Sequence, residues 1–199
     1  MALARTQTVQ KRYQTAIDYY DKAIDIGIKY RNKKKVTSAL LEKIEVLIKI
    51  DQYTEALNTT QKLNKSYINT SGYFVLGHLY YKLNKPDSAY FYLNKAIESN
   101  NIYTQQSAYQ VLFYLSKKNQ DYKKNSDYST ILWKINDSIN QIDRNKTLIE
   151  MQEKYDNERV INEKNRAEKR GLIILCISIG IIGIIISCYQ WKVLRQKNE

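Results

Sequence analysis

Three patterns of apolar and polar positions follow one another along the chain. Through residues 1–133, apolar and small residues recur at spacings of three and four, which predicts short amphipathic helices. From 134 to 170 the apolar positions thin out and charges of both signs alternate without Gly or Pro, which predicts one long solvated helix. From Gly171 to Trp191 the chain carries no charge at all.

The first region repeats itself. Its clearest copy is residues 73–96, YFVLGHLYYKLNKPDSAYFYLNKA. Leu76, Gly77 and Tyr80 share one helical face, a break falls at Asn84 to Pro86, and a second helix then presents Ala89, Leu93 and Ala96. Small residues on both faces let two antiparallel helices approach closely. A shift of 33 residues toward the N-terminus gives Leu40, Ile44 and Leu47, then Tyr53, Ala56 and Leu63, with Lys43 standing where Leu76 stood. An earlier copy has Leu3 and Ala4, then Tyr13, Ala16, Tyr20 and Ala23. Its 40-residue offset from the next copy predicts a second helix extended through about Tyr30. Forward by 36 residues, Tyr109, Leu112, Phe113 and Leu115 precede Tyr122, but Asn125 replaces the packing alanine and Ser129 a large apolar residue. That copy reads as a terminal repeat with a water-facing outer side. The pattern ends after Trp133, and the first copy begins so abruptly that repeats upstream of Met1 are expected.

The uncharged run of residues 171–191 would span roughly 30 Å as a helix, the thickness of a bilayer's hydrocarbon core. Lys169 and Arg170 precede it, and Tyr189, Trp191, Lys192 and Arg195 follow, the residue types favoured at membrane interfaces. A single transmembrane helix is expected, with a short basic tail at 192–199. Within it Cys176, Gly180, Gly183 and Ser187 are spaced by four, three and four, the small-residue pattern that lets two such helices pair, so a homodimer through this segment is expected.

Composition narrows the function classes. Six glycines and one proline, Pro86, supply too few turns for a sheet protein of 199 residues, so the fold class is all-α. Both cysteines, Cys176 and Cys188, lie in the apolar run and leave the polar part without a disulfide framework. One histidine, His78, and no cysteine outside that run give a metal site little to build on, and neither a phosphate-binding glycine loop nor a nucleophile with a positioned base is evident. No metal, cofactor or enzymatic activity is expected. The net charge of +12 favours anionic partners in general, but no nucleic-acid recognition motif accompanies it.

The helix pair of residues 70–103 resembles a tetratricopeptide repeat, a 34-residue helix–turn–helix unit. That resemblance implies a solenoid of antiparallel helix pairs over 1–133; after it the residue pattern predicts the charged juxtamembrane helix of 134–170, either a weak coiled coil or a single extended helix, and then the transmembrane helix. It also implies a concave groove lined by the first helix of each pair, which binds a peptide or protein. Applied here, the register puts Ser38, Glu45 and Lys49 in the groove, then Ser71, Phe74, His78 and Tyr81, then Gln110, Tyr114 and Lys118. Mixed aromatic and basic lining would suit a peptide with a carboxylate. The succession PDSAYFYLNKAI, NDSI, EMQEKYDNERVINEKNRAEKR and one span looks like the sensor half of Bacteroidetes-type membrane regulators. In that family the repeats lie outside the bacterial inner membrane, and a histidine kinase or helix-turn-helix output lies inside. Only YQWKVLRQKNE follows the apolar core, so an output of either kind is expected in further sequence or on another chain. Six Lys/Arg in 152–171 against three in the tail argue for repeats in the cytoplasm, and the alternative is a cytosolic adaptor held by a C-terminal membrane tail.

Overall fold

The computed structural model describes the backbone of residues 1–197, and side chains except those of 185, 188–190 and 192–199. Among the described residues the elements are α1 (Ala2–Val9), α2 (Tyr13–Lys29), α3 (Lys33–Lys49), α4 (Tyr53–Thr60), α5 (Thr70–Lys82), α6 (Pro86–Ala96), α7 (Ile102–Lys118) and α8 (Tyr122–Lys197), with a 3-10 turn at Lys65–Tyr67 and no strand. Two compact units result, Met1–Asn140 and Gln141–Glu199.

Local sequence sets the helix ends. Asn32, Asn69 and Asn101 cap α3, α5 and α7, their side-chain oxygens accepting from the backbone N–H of Lys35 at 3.0 Å, Gly72 at 2.9 Å and Tyr103 at 2.9 Å. Pro86 occupies the first turn of α6, where its missing N–H costs nothing. Five helices end in one kind of turn, with Lys11, Arg31, Asp51, Asn84 and Gln120 each at a φ between 53° and 59°. The N–H of the following residue returns to the carbonyl five positions back, as in Asn32 N–H to Gly27 at 2.8 Å and Lys85 N–H to Tyr80 at 2.9 Å. Asp and Asn accept this left-handed backbone more readily than Lys or Gln. Lys11→Gly and Gln120→Gly are each expected to raise stability by about 0.5 kcal/mol, net of glycine's larger unfolded-state entropy, measured by denaturant unfolding.

In the first unit the helices pack as antiparallel neighbours, and the buried side chains form two clusters. One gathers Ala4, Ala16, Ile17, Tyr20, Ile44, Leu47, Ala56 and Leu79, and the other Ala89, Leu93, Ala96, Ala108, Leu112 and Leu115. Phe74 packs against both. The small residues mark the closest approaches, since a Cβ on Gly77 would lie 2.7 Å from Leu93 Cγ and one on Gly27 2.7 Å from Val36 Cγ2.

Two substitutions that weaken the repeat pattern in sequence are compensated by polar contacts. Lys43, at the position of Leu76, has only 12% of its side chain exposed and reaches Asp21 of α2 at 2.8 Å and Glu55 of α4 at 3.6 Å, so one ammonium ties three helices together. Because both carboxylates are about half exposed, they stay hydrated if the lysine is lost. Lys43→Met is therefore expected to fall within about 1 kcal/mol of the parent in urea unfolding, and Lys43→Ala to cost about 2 kcal/mol through lost packing of the stem. Asn125, in place of the packing alanine, donates from Nδ2 to the Phe113 carbonyl at 3.0 Å and to Ser116 Oγ at 3.3 Å.

The packing departs from the sequence expectation at both ends of the array. Leu3 and Tyr122 are exposed rather than packed, each on an end helix with no further repeat laid over it among the described residues. Past Trp133, itself exposed, Ile135 and Ile139 are still buried, and Gln106 Nε2 donates to Asn136 Oδ1 at 2.7 Å, so the first unit continues to Asn140.

The second unit is helical in backbone to Lys197, and its described side chains are exposed. Among the described residues no helix is long and apolar enough to cross a membrane. The span expected at 171–191 includes residues 185 and 188–190, and Cys188 and the 192–199 tail likewise lie outside the described side chains.

Candidate ligand groove

The first helices of successive pairs, α3, α5 and α7, stand side by side through buried faces, and hydroxyl contacts join the start of α5 to α7 and to the α6–α7 turn. Thr70 Oγ1 donates to Ser99 Oγ at 3.1 Å, and Ser71 Oγ lies 3.3 Å from Thr104 Oγ1. Side chains on the opposite faces line two adjoining depressions. Between α5 and α7 an open cavity of about 410 Å³ gathers Phe74, His78, Tyr81, Gln110 and Tyr114 with Lys82, Ser107 and Val111. Between α3 and α5 a smaller one of about 270 Å³ includes Glu45, Ser38 and Ser71 together with Arg5 and Glu42.

The aromatic wall of the larger cavity follows from helical spacing, because positions 74, 78 and 81 fall at i, i+4 and i+7 on one face. The Phe74 and His78 rings stack at 5.8 Å between centroids and 21° between planes, and His78 and Tyr81 at 6.5 Å and 22°. Burial in this stack, and then the Lys82 ammonium, hold His78 below its ordinary pKa of 6.5. The imidazole is therefore a neutral ring at pH 7, able to donate or accept one hydrogen bond.

Charge is unevenly satisfied along the groove. Arg5 clasps Glu42 with two hydrogen bonds, and Lys49 pairs with Glu45 at 2.9 Å, which neutralises the end near α1 and α3. Lys118 lies outside both depressions, its Nζ donating to Asn84 Oδ1 at 2.8 Å on the α5–α6 turn. Lys82, which the groove register passes over, is left without a carboxylate partner among the described residues, one helical turn after His78 and beside the aromatic wall. Its i+4 relation to His78 was the available signal in the sequence.

A depressed histidine pKa links stability to pH. The folded state binds fewer protons than the unfolded state between the lowered pKa and 6.5, so His78 contributes stability that is complete above about 6.5 and is lost as pH falls through its folded value. Thermal unfolding midpoints should fall from pH 7 to pH 5, and His78→Phe should flatten that decline, since His78 is the sole histidine.

The second set of sequence candidates, Cys176, Gly180, Gly183 and Ser187, lies on α8 in the second unit. All four are exposed, and nothing lies within 4 Å of a Cβ built on Gly180 or Gly183. Among the described residues no group of three or more His, Cys, Asp or Glu could hold a metal ion.

The tetratricopeptide repeat family model matches residues 70–103, the α5–α6 pair with the start of α7. Among solved structures, MamA 41-end from Desulfovibrio magneticus RS-1 superposes with a TM-score of 0.56 at 20% identity, covering 69% of this chain and 73% of that one. BtubC (BKLC) from P. vanneervenii superposes with a TM-score of 0.55 at 19% identity, covering 69% of this chain and 62% of that one. No curated protein matches this chain. At these identities the likeness is one of fold. Residues 70–103 thus carry a tetratricopeptide repeat, set among helices that share its helix-pair solenoid architecture.

Proposed function

We propose that the chain is a binding module, not an enzyme, whose first unit takes an extended peptide or protein segment in the groove across α3, α5 and α7. The observation that carries this reading is the α5–α7 cavity, where stacked Phe74, His78 and Tyr81 face Gln110 and Tyr114 with the unpartnered Lys82 ammonium at the edge. Aromatic rings give large contact area with little entropy to lose, and a lone cation beside them selects an acidic group. The favoured ligand is a peptide pairing an apolar or aromatic residue with a carboxylate.

The second unit supports an anchoring role in the same reading. Leu172, Ile173, Ile174, Leu175, Ile177, Ile179, Ile181, Ile182, Ile184 and Ile186 are each more than half exposed, so the 172–186 stretch of α8 presents apolar side chains all round with no described protein surface against them. A lipid bilayer is the partner that accepts such a surface. The arrangement fits the sensor part of a single-pass regulator in the bacterial inner membrane, with the repeats on the periplasmic side, and pairing through Cys176, Gly180, Gly183 and Ser187 would make it a dimer. The alternative, a cytosolic adaptor on a membrane tail, keeps the groove and reverses the orientation.

The groove is tested by isothermal titration of the full chain with acidic peptides carrying one Phe or Leu. Tyr81→Ala with Lys82→Gln is expected to weaken the best binder at least tenfold, and Lys118→Ala to change it less than threefold. Equal binding by the parent and the Tyr81/Lys82 variant would remove the groove assignment.

A further inference from the structure

A second cavity, of about 390 Å³, lies away from the groove between the end of α2, the start of α3 and the segment after α4. Ile28 and Val36 supply apolar wall, and Arg31, Lys33 and Lys62 are exposed residues of its lining. None of the three cations has a carboxylate partner among the described residues, so their charges are not neutralised by the protein at this cavity. Thr37 also lines the cavity. It is 1% exposed, and its Oγ1 is the buried side-chain polar atom left without a hydrogen-bond partner among the described residues.

A threonine at that point in a helix ordinarily returns its hydroxyl to a backbone carbonyl, as Thr59 does to Glu55 at 2.8 Å. An orphaned buried hydroxyl costs stability unless something else satisfies it. The volume is at the small end of the range for ligand sites, and an apolar wall with convergent polar groups is their usual composition. Three unneutralised cations fix the sign of the missing group.

We propose that this cavity binds a small organic anion, a carboxylate on an apolar body the size of a phenyl or naphthyl ring. The apolar body lies against Ile28 and Val36, the carboxylate meets Arg31, Lys33 and Lys62, and Thr37 Oγ1, enclosed by its neighbours, donates to it once its side chain turns toward the ligand. The site is separate from the peptide groove, being built from α2 and the α2–α3 turn, and it would let a small anion report on the packing of the first two helix pairs.

The test is titration of the full chain, held in zwitterionic lipid nanodiscs with empty discs subtracted, with 2-naphthoate. Saturable one-to-one binding is expected, at least tenfold tighter than for uncharged 2-naphthamide and at least tenfold tighter than for acetate, which lacks the apolar body. Arg31→Gln with Lys62→Gln should lower naphthoate affinity at least tenfold, while Lys117→Gln with Lys123→Gln, removing equal charge elsewhere, and Tyr81→Ala in the groove should leave it within twofold. Thr37→Val gives the sharper reading. It should lower affinity severalfold while leaving the unfolding midpoint equal to the parent's or higher, a split that a merely structural threonine does not produce. Equal affinity for naphthoate and naphthamide, or binding indifferent to Arg31 and Lys62, overturns the proposal whatever the outcome of peptide binding.

Discussion

Gly77→Ala should destabilise the first unit by about 1–2 kcal/mol even though alanine is the better helix former by about 1 kcal/mol. The new Cβ would lie 2.7 Å from Leu93 Cγ, 2.9 Å from Cδ2 and 3.1 Å from the Leu93 backbone nitrogen, so rotating the leucine relieves only part of the clash and α5 and α6 must also separate. Leu93 is fully buried, and Leu93→Ala on its own should cost about 3 kcal/mol. The two changes fill and empty the same space. In the double variant the alanine at 77 enters the volume the leucine vacated, and its helix propensity is recovered. The double variant should therefore be more stable than the sum of the single effects by at least 1 kcal/mol. Urea unfolding followed by near-ultraviolet dichroism of the tyrosines reads all four corners of the cycle, and additive costs would show that this contact does not govern how closely α5 and α6 pack.

The same contact shows why much of the fold is readable from sequence. Leu76, Gly77, Ala89, Leu93 and Ala96 declare a helix pair because small and large residues must alternate where two backbones meet, and all of them are buried. Asparagine caps and Pro86 mark the helix starts by chemistry confined to a few residues. The long offset between the first two copies appears as α2, at 17 residues against 8 in α4 and 11 in α6. What periodicity does not carry is compensation at a distance. Lys43 looks like a flaw in the repeat until Asp21 and Glu55, on two other helices, are brought to it, and Asn125 looks like one until the Phe113 carbonyl is. The groove is legible to the same degree. Helical spacing along α5 places Phe74, His78 and Tyr81 on one face, and the Glu45–Lys49 pair is an i, i+4 contact within α3, but the bond that takes Lys118 to Asn84 depends on a tertiary neighbour, and Lys82 is left without a carboxylate partner among the described residues. Thr37 shows the limit most plainly, since nothing in its sequence context distinguishes a satisfied hydroxyl from an orphaned one.

If the 172–186 stretch anchors the chain as proposed, lysine at both Ile177 and Ile182 should release it from membranes. The two positions lie five residues apart near the middle of the uncharged run, and on a helix they point to different sides, so one snorkelling path cannot serve both. Each exchange of isoleucine for lysine near the centre of a span costs about 3 kcal/mol on insertion scales, and the pair about 6 kcal/mol, which corresponds to more than a thousandfold in partition. In fractionated cells the parent chain should resist carbonate extraction and the double variant should not. Gly183→Ile supplies the contrast, because it adds apolar surface and keeps the anchor while blocking close approach at the small-residue stripe, so retention should be unchanged and self-association in a membrane reporter lost. If the lysine variant stays in the pellet, the apolar helix is held by something other than lipid and the anchoring role falls. If Gly183→Ile still self-associates, the anchor stands and the dimer through Cys176, Gly180, Gly183 and Ser187 does not. The groove is tested independently of both results, because every residue assigned to it lies within Met1–Asn140, a compact unit distinct from the one that carries the apolar run.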